Sequence, residues 1–152
     1  MTTKPLLFCW LLILLFPATT YTADASDLII TIEGLKSSKG KVRVALFCNE
    51  DSFNKAKKNK DDSVLSACNR KAVAASEGSV SCIFEQIKHG EYAVAVFHDE
   101  DNNNQLKKLL WGLLPIPREP YGKSGKKGGK NWIDCKFKHD ENQKEIKIEV
   151  SQ

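Results

Sequence analysis

The chain has 152 residues, a formal net charge of +4, 28% charged and 41% hydrophobic residues, and five cysteines. That length is one ordinary domain's worth, and so modest a charge excludes the broad basic footprint of a nucleic-acid binder. The charge is uneven, however: Lys107, Lys108, Arg118, Lys123, Lys126, Lys127 and Lys130 share one stretch with Glu119 as the sole acid between them.

At the N-terminus, Lys4 precedes the apolar run LLFCWLLILLF (Leu6 to Phe16), which is short for a bilayer-crossing helix. Ala23-Asp24-Ala25 then supplies the small-x-small pattern after which a secretory signal is cut. Residues 1–25 are therefore expected to be a cleaved signal peptide and 26–152 a single domain, periplasmic or secreted; a retained N-terminal anchor is the alternative. Cys9 lies within the apolar run rather than just after it, which argues against a lipid-anchored N-terminus. Beyond the signal, Cys48, Cys68, Cys82 and Cys135 make an even set with no CxxC pair, so zinc-ribbon and thioredoxin-type chemistry are not expected. Two disulfides are expected in an oxidising compartment, Cys48 with Cys68 and Cys82 with Cys135, against the alternative that one pair stays as buried thiols.

Period-two alternation then dominates. Leu28, Ile30 and Ile32 alternate with more polar neighbours, as do Val42, Val44, Leu46 and Cys48 after the turn residues 37–40. Lys71 to Ala75 is a weaker strand, followed by Val80, Cys82 and Phe84. Tyr92, Val94, Val96 and His98 share one face of the next strand, with Ala93, Ala95 and Phe97 on the other. Ile133, Cys135 and Phe137 alternate, and Ile146, Ile148 and Val150 finish the chain. Such half-buried, β-branched runs predict an all-β, seven-stranded antiparallel β-sandwich. Only residues 51–66 have helix-like composition. Gly122 to Lys130 reads as too flexible and charged to pack, and the connection from 99 to 131 is longer than an ordinary loop.

The segments IEGL, GKVRVALF, HGEYAVAVFHDEDNNNQL, WG and PYGKSG occur here in that order, ahead of an apolar C-terminal strand. This order resembles the bacterial family called domain of unknown function 2141, over roughly residues 27 to 150. The resemblance implies a secreted or periplasmic sandwich of the transthyretin-like or immunoglobulin-like kind, and no particular biochemical activity. Two departures concern the acidic turn. Asp101-Asn102-Asn103-Asn104 stands where the family has Asn-Gly-Asn-Gly, and Leu106-Lys107 where it has Leu-Asp. The four cysteines are not part of the family pattern.

Asp99, Asp101, Asn103 and Gln105 have the alternate spacing that aims oxygens at one calcium ion. Lys107 and Leu110 stand where further oxygens are wanted, so any site is expected to be weak, and the competing reading is a turn whose side chains bond their own backbone. His98 is a candidate base or ligand that reads more simply as a strand-end histidine bonded to Asp99 or to backbone. His89 and His139 show no partner spacing, and no catalytic set is nominated. Gly122-Lys123-Ser124 fails as a phosphate loop because Pro117 stands where its leading glycine belongs. Trp111, Tyr121, Lys123, Lys126 and Lys127 are candidate contacts to an envelope protein or an anionic membrane surface, with LLWGLLPIP folding back as a cap the plainer alternative. The expectation is a non-enzymatic binding module. A calcium-rigidified structural module and a ligand carrier or enzyme with a site near His98, Asp99 and the Tyr121 loop are the alternatives.

Overall fold

The structure, a computed structural model, describes residues 24–58, 66–104, 108–111, 114–117 and 119–151, with backbone alone for 57–58 and 108–117. Residues 1–23 of the expected 1–25 signal peptide lie outside the described residues, while Ala25 is the first residue of the first strand and pairs with Lys88.

The strand β1 (Ala25–Leu35) sits at the centre of a three-stranded sheet because its alternation buries one face completely. Leu28, Ile30 and Ile32 have no exposed surface, whereas Glu33 points to solvent. Next come β2 (Lys41–Phe47), the helix α1 (Glu50–Lys58), β3 (Asn69–Ala74), β4 (Gly78–Lys88) and β5 (Gly90–Asp99). A hairpin of β6 (Lys108–Trp111) and β7 (Leu114–Pro117) follows, then β8 (Tyr121–Lys123), the helical turn α2 (Trp132–Cys135), β9 (Phe137–His139) and β10 (Glu145–Glu149). One sheet has the order β10-β1-β4, in which β1 runs parallel to β10 and antiparallel to β4. The other has the order β3-β2-β5-β8, with β9 also pairing the start of β5.

The sheets face each other across one apolar core. Leu28, Ile30, Ile32, Cys82, Phe84, Ile146 and Ile148 come from the first; Val42, Val44, Leu46, Tyr92, Val94 and Val96 come from the second. The all-β sandwich is thus as the alternation predicts, but it has more strands than seven, and the parallel pairing of β1 with β10 makes it mixed rather than wholly antiparallel. The region 99–131 is no plain loop: it holds the β6–β7 hairpin and β8. The expected strand over 133–137 is corrected to a helical turn, and pairing begins only at Phe137.

A second apolar cluster covers the outer face of the larger sheet. Ala45 and Ala93 leave room there for Phe47, Phe53, Trp132 and Cys135. Phe53 stands edge-on to both Phe47 (5.5 Å between centroids) and Trp132 (5.9 Å). It is delivered by α1, which Asn49 starts: the Asn49 side-chain oxygen accepts from the Ser52 amide at 2.9 Å while the Ser52 hydroxyl donates back to the Asn49 carbonyl. Glu50 and Asp51 in the first turn suit the positive end of the helix dipole.

The expected Cys48–Cys68 disulfide is present and closes the excursion containing α1. A loop of that length contributes on the order of 3 kcal/mol. The expected Cys82–Cys135 pairing is corrected. Cys82 lies between the sheets and Cys135 under α2, so the β2–β5 sheet separates them. Burial pushes the Cys82 thiol up to about 11, with Lys71 offsetting part of the rise, and so it is protonated at neutral pH.

Gly122 to Lys130 is likewise packed. Ser124 is buried, its amide donates to the Val94 carbonyl at 3.0 Å, and its hydroxyl donates to the Cys135 carbonyl at 2.6 Å while accepting from the Val94 amide at 2.8 Å. Gly125 makes this possible: its φ is +76°, and a Cβ there would lie 2.3 Å from the Asp134 carbonyl oxygen.

Gly40 has the same role at the β1–β2 turn. Its φ is +73°, and a Cβ would meet the Asp99 carbonyl oxygen at 2.0 Å, whereas Gly78 (φ +87°) has open space around it. Gly78→Ala should therefore cost about 1 kcal/mol from conformation alone, and Gly40→Ala about 2 to 4 kcal/mol with the clash added, measured by denaturant titration. Unreduced peptide mapping should give a linked Cys48–Cys68 peptide, with Cys82 and Cys135 alkylated only after unfolding. A linked Cys82–Cys135 peptide would contradict the fold.

Candidate metal centre at the end of the fifth strand

Strand β5 carries its odd-numbered residues out of the sandwich and ends on one that is charged. Asp99 has no exposed surface, so its carboxylate must be met by donors. Arg43 on β2 donates Nε–H to Oδ2 at 2.5 Å, the Asn104 amide donates to Oδ2 at 3.0 Å, and the Asn103 amide donates to Oδ1 at 3.0 Å. The second arm of Arg43 donates to the Asn104 side-chain oxygen. The chain turns back on itself to do this, with left-handed backbone at Asn102 (φ 57°) and Asn104 (φ 66°), which asparagine tolerates. The turn whose side chains bond their own backbone is therefore what forms. Asn103, a candidate calcium ligand, donates its amide group to Asp101 at 3.0 Å, and its backbone reaches Asp101 as well. Gln105 and Lys107 lie outside the described residues.

A carboxylate that spacing did not nominate completes the cluster. Ligand oxygens of Asp99, Asp101 and Glu119 all lie within 4.8 Å of one another. Glu119 is brought there by strand register. Phe97 pairs with Tyr121, and the His98 amide donates to the Pro120 carbonyl at 2.9 Å, so Glu119 comes level with Asp99. Glu119 is itself buried at 5% exposure. Oxygens bonded to one calcium at 2.3–2.6 Å lie within about 5 Å of each other, so the spacing fits a single ion. Asp99 has three donors for roughly four lone-pair directions, which leaves one on Oδ1 for a cation.

The remaining sites disperse. His98 is fully buried, and its Nε2 contacts the Lys39 carbonyl at 2.6 Å, the backbone-bonded reading. His89 and His139 do meet: both Nε2 atoms lie 3.2 Å from the Ser26 hydroxyl, joining β1 to the chain segments at 89 and 139. Tyr121 is 38% exposed. Lys123 lies over the Phe53 ring and its Nζ donates to the Gly129 carbonyl, Lys126 is exposed, and Lys127 is paired with Glu149 at 2.8 Å. For Lys127 and Glu149 the mutual hydrogen bond raises the lysine and lowers the glutamate. The Trp111 side chain lies outside what is described. Of these lysines, Lys123 and Lys127 are thus engaged within the domain.

A family model described as an uncharacterized protein conserved in bacteria (DUF2141) matches residues 30–147. No curated protein and no solved structure matches the chain.

The two aspartates should separate sharply in metal-free buffer. Asp99→Asn should cost about 3 kcal/mol, because it leaves buried donors and Arg43 without their anion. Asp101→Asn, at an exposed position, should stay within about 0.5 kcal/mol of wild type. Urea midpoints measured in the presence of a chelator would check both.

Proposed function

The chain belongs to this family of uncharacterized bacterial proteins, and we propose that it is an exported, non-enzymatic β-sandwich binding module of the bacterial envelope, its contact hairpin steadied by weakly bound calcium. The observation that carries the reading is the placement of the three carboxylates. Asp99 and Asp101 come immediately before the region holding β6 and β7, and Glu119 immediately after it, with their oxygens within 4.8 Å. Among the described strands, β6 and β7 pair only with each other and extend neither sheet of the sandwich. Their sequence, KLLW and LPIP, is apolar.

Two chain segments join the hairpin to its sandwich. One divalent cation bound by residues from both segments would fix it, lowering the ordering cost a partner otherwise meets on binding. The same apolar strands offer the contact area from which affinity comes. Export is supported by the N-terminal signal pattern and by the Cys48–Cys68 disulfide, a bond that persists in oxidising compartments.

Calcium at ten times its dissociation constant should raise stability by about 1.4 kcal/mol, seen as a higher melting temperature. Glu119→Gln and Asp101→Asn should each abolish the rise, and magnesium should not reproduce it. A melting temperature indifferent to calcium removes the metal from this reading. Capture of an envelope protein by the wild type, lost when residues 107–118 are replaced by a Gly-Ser linker, tests the binding role.

A further inference from the structure

His98 faces the core side of β5 with Tyr92, Val94 and Val96 and is as buried as the valines, yet it is polar at both ring nitrogens. Its Nε2 meets the Lys39 carbonyl, which can only accept, so in the neutral ring Nε2 carries the proton and Nδ1 presents a lone pair. Nδ1 is sealed from solvent and has no hydrogen-bond partner among the described residues. Facing it at 3.8 Å is Oε1 of Glu100, another acceptor, which already receives the Ser37 hydroxyl at 2.8 Å.

Two acceptors thus face each other across a gap longer than a hydrogen bond, and each is held from behind. Histidines that bind metals usually donate the other ring N–H to a carbonyl or carboxylate, and carboxylate ligands are hydrogen-bonded in their turn. Here both supports come from the β1–β2 turn: Lys39 fixes the ring and Ser37 fixes the carboxylate. Gly40 lets that turn approach the Asp99–Glu100 backbone closely enough for both.

We propose that His98 Nδ1 and the Glu100 carboxylate form a binding site for a borderline divalent transition ion of the zinc class, distinct from the oxygen cluster on the other face of β5. One imidazole nitrogen with one carboxylate suits zinc and its neighbours, whereas calcium prefers oxygen alone. Bonds of about 2.0–2.2 Å at a tetrahedral angle put two ligand atoms about 3.4 Å apart. The Glu100 side chain is 41% exposed, so a small rotation closes the 3.8 Å gap and also gives an ion its way in. The remaining positions of the ion would take water entering from the side of the exposed Glu100 side chain.

The test is a zinc titration of the full chain in millimolar calcium, followed by calorimetry and by long-range proton–nitrogen correlation of the His98 ring. Saturable binding that moves the Nδ1 resonance is expected. Glu100→Gln, on an exposed side chain, and Ser37→Ala, on a half-buried one, should each weaken binding at least about tenfold. Asp101→Asn should bind zinc as the wild type does, even where it has lost any response to calcium. The proposal is overturned by an Nδ1 resonance that stays put at saturating zinc, which would mean that a water or a proton fills the gap. It is equally overturned if Glu100→Gln binds like wild type, or if Asp101→Asn abolishes zinc binding and so places the ion at the oxygen cluster.

Discussion

Strand β5 is buried on both faces, and most of what distinguishes this molecule from a bare sandwich follows from that constraint. Its even residues fill the space between the sheets. Its odd residues need a second cover, which α1 and α2 provide through Phe53 and Trp132. A strand covered twice leaves no solvent for a charge at its end, yet it ends on Asp99. Arg43, the Asn103 and Asn104 amides and the tight asparagine turn are the response. The ion pair is therefore better understood as a condition for ending the strand at that point than as added stability, since buried pairs gain little over apolar packing.

How much of this could be read in advance depended on whether a segment's environment is set by its own neighbours. The strands at 28–32, 42–47, 80–84, 92–98 and 146–149 declare themselves because each buries alternate residues, and the sequence repeats that alternation directly. Ile133-Asp134-Cys135 shows the same alternation and forms a helical turn. Asn131 accepts the amides of Asp134 and Cys135, and the Ser124 hydroxyl holds the Cys135 carbonyl from a loop whose Gly-Lys composition gives no hint of packing. Parity could not pair Cys82 with a partner, because the thiol most plausible in sequence lies beyond an intervening sheet.

The site was legible by halves for the same reason. Asp99 and Asp101 are neighbours in sequence, so spacing finds them. Glu119 reaches them only through the pairing of β8 with β5, a register no local pattern encodes. The meeting of His89 and His139 on Ser26 is similar, as it joins segments from both ends of the domain. The asparagine turn was readable as backbone chemistry, and it is there that this chain departs from the Asn-Gly-Asn-Gly of its family. Asparagines at 102 and 104 take up the left-handed conformation that glycine supplies elsewhere, and Asn104 adds a side-chain oxygen that glycine lacks and on which Arg43 closes.

The pairing of β1 with β10 also has a mechanical side. The two strands run parallel, in register from Ile29 with Glu145 to Glu33 with Glu149, and each lies next to a different end of the domain. A pull applied through the start of β1 and the end of β10 draws the two strands in opposite directions. The force therefore runs along the hydrogen-bonded ladder in shear and loads all its rungs together, instead of peeling them apart one at a time. A domain tethered by both ends would resist extension through this ladder.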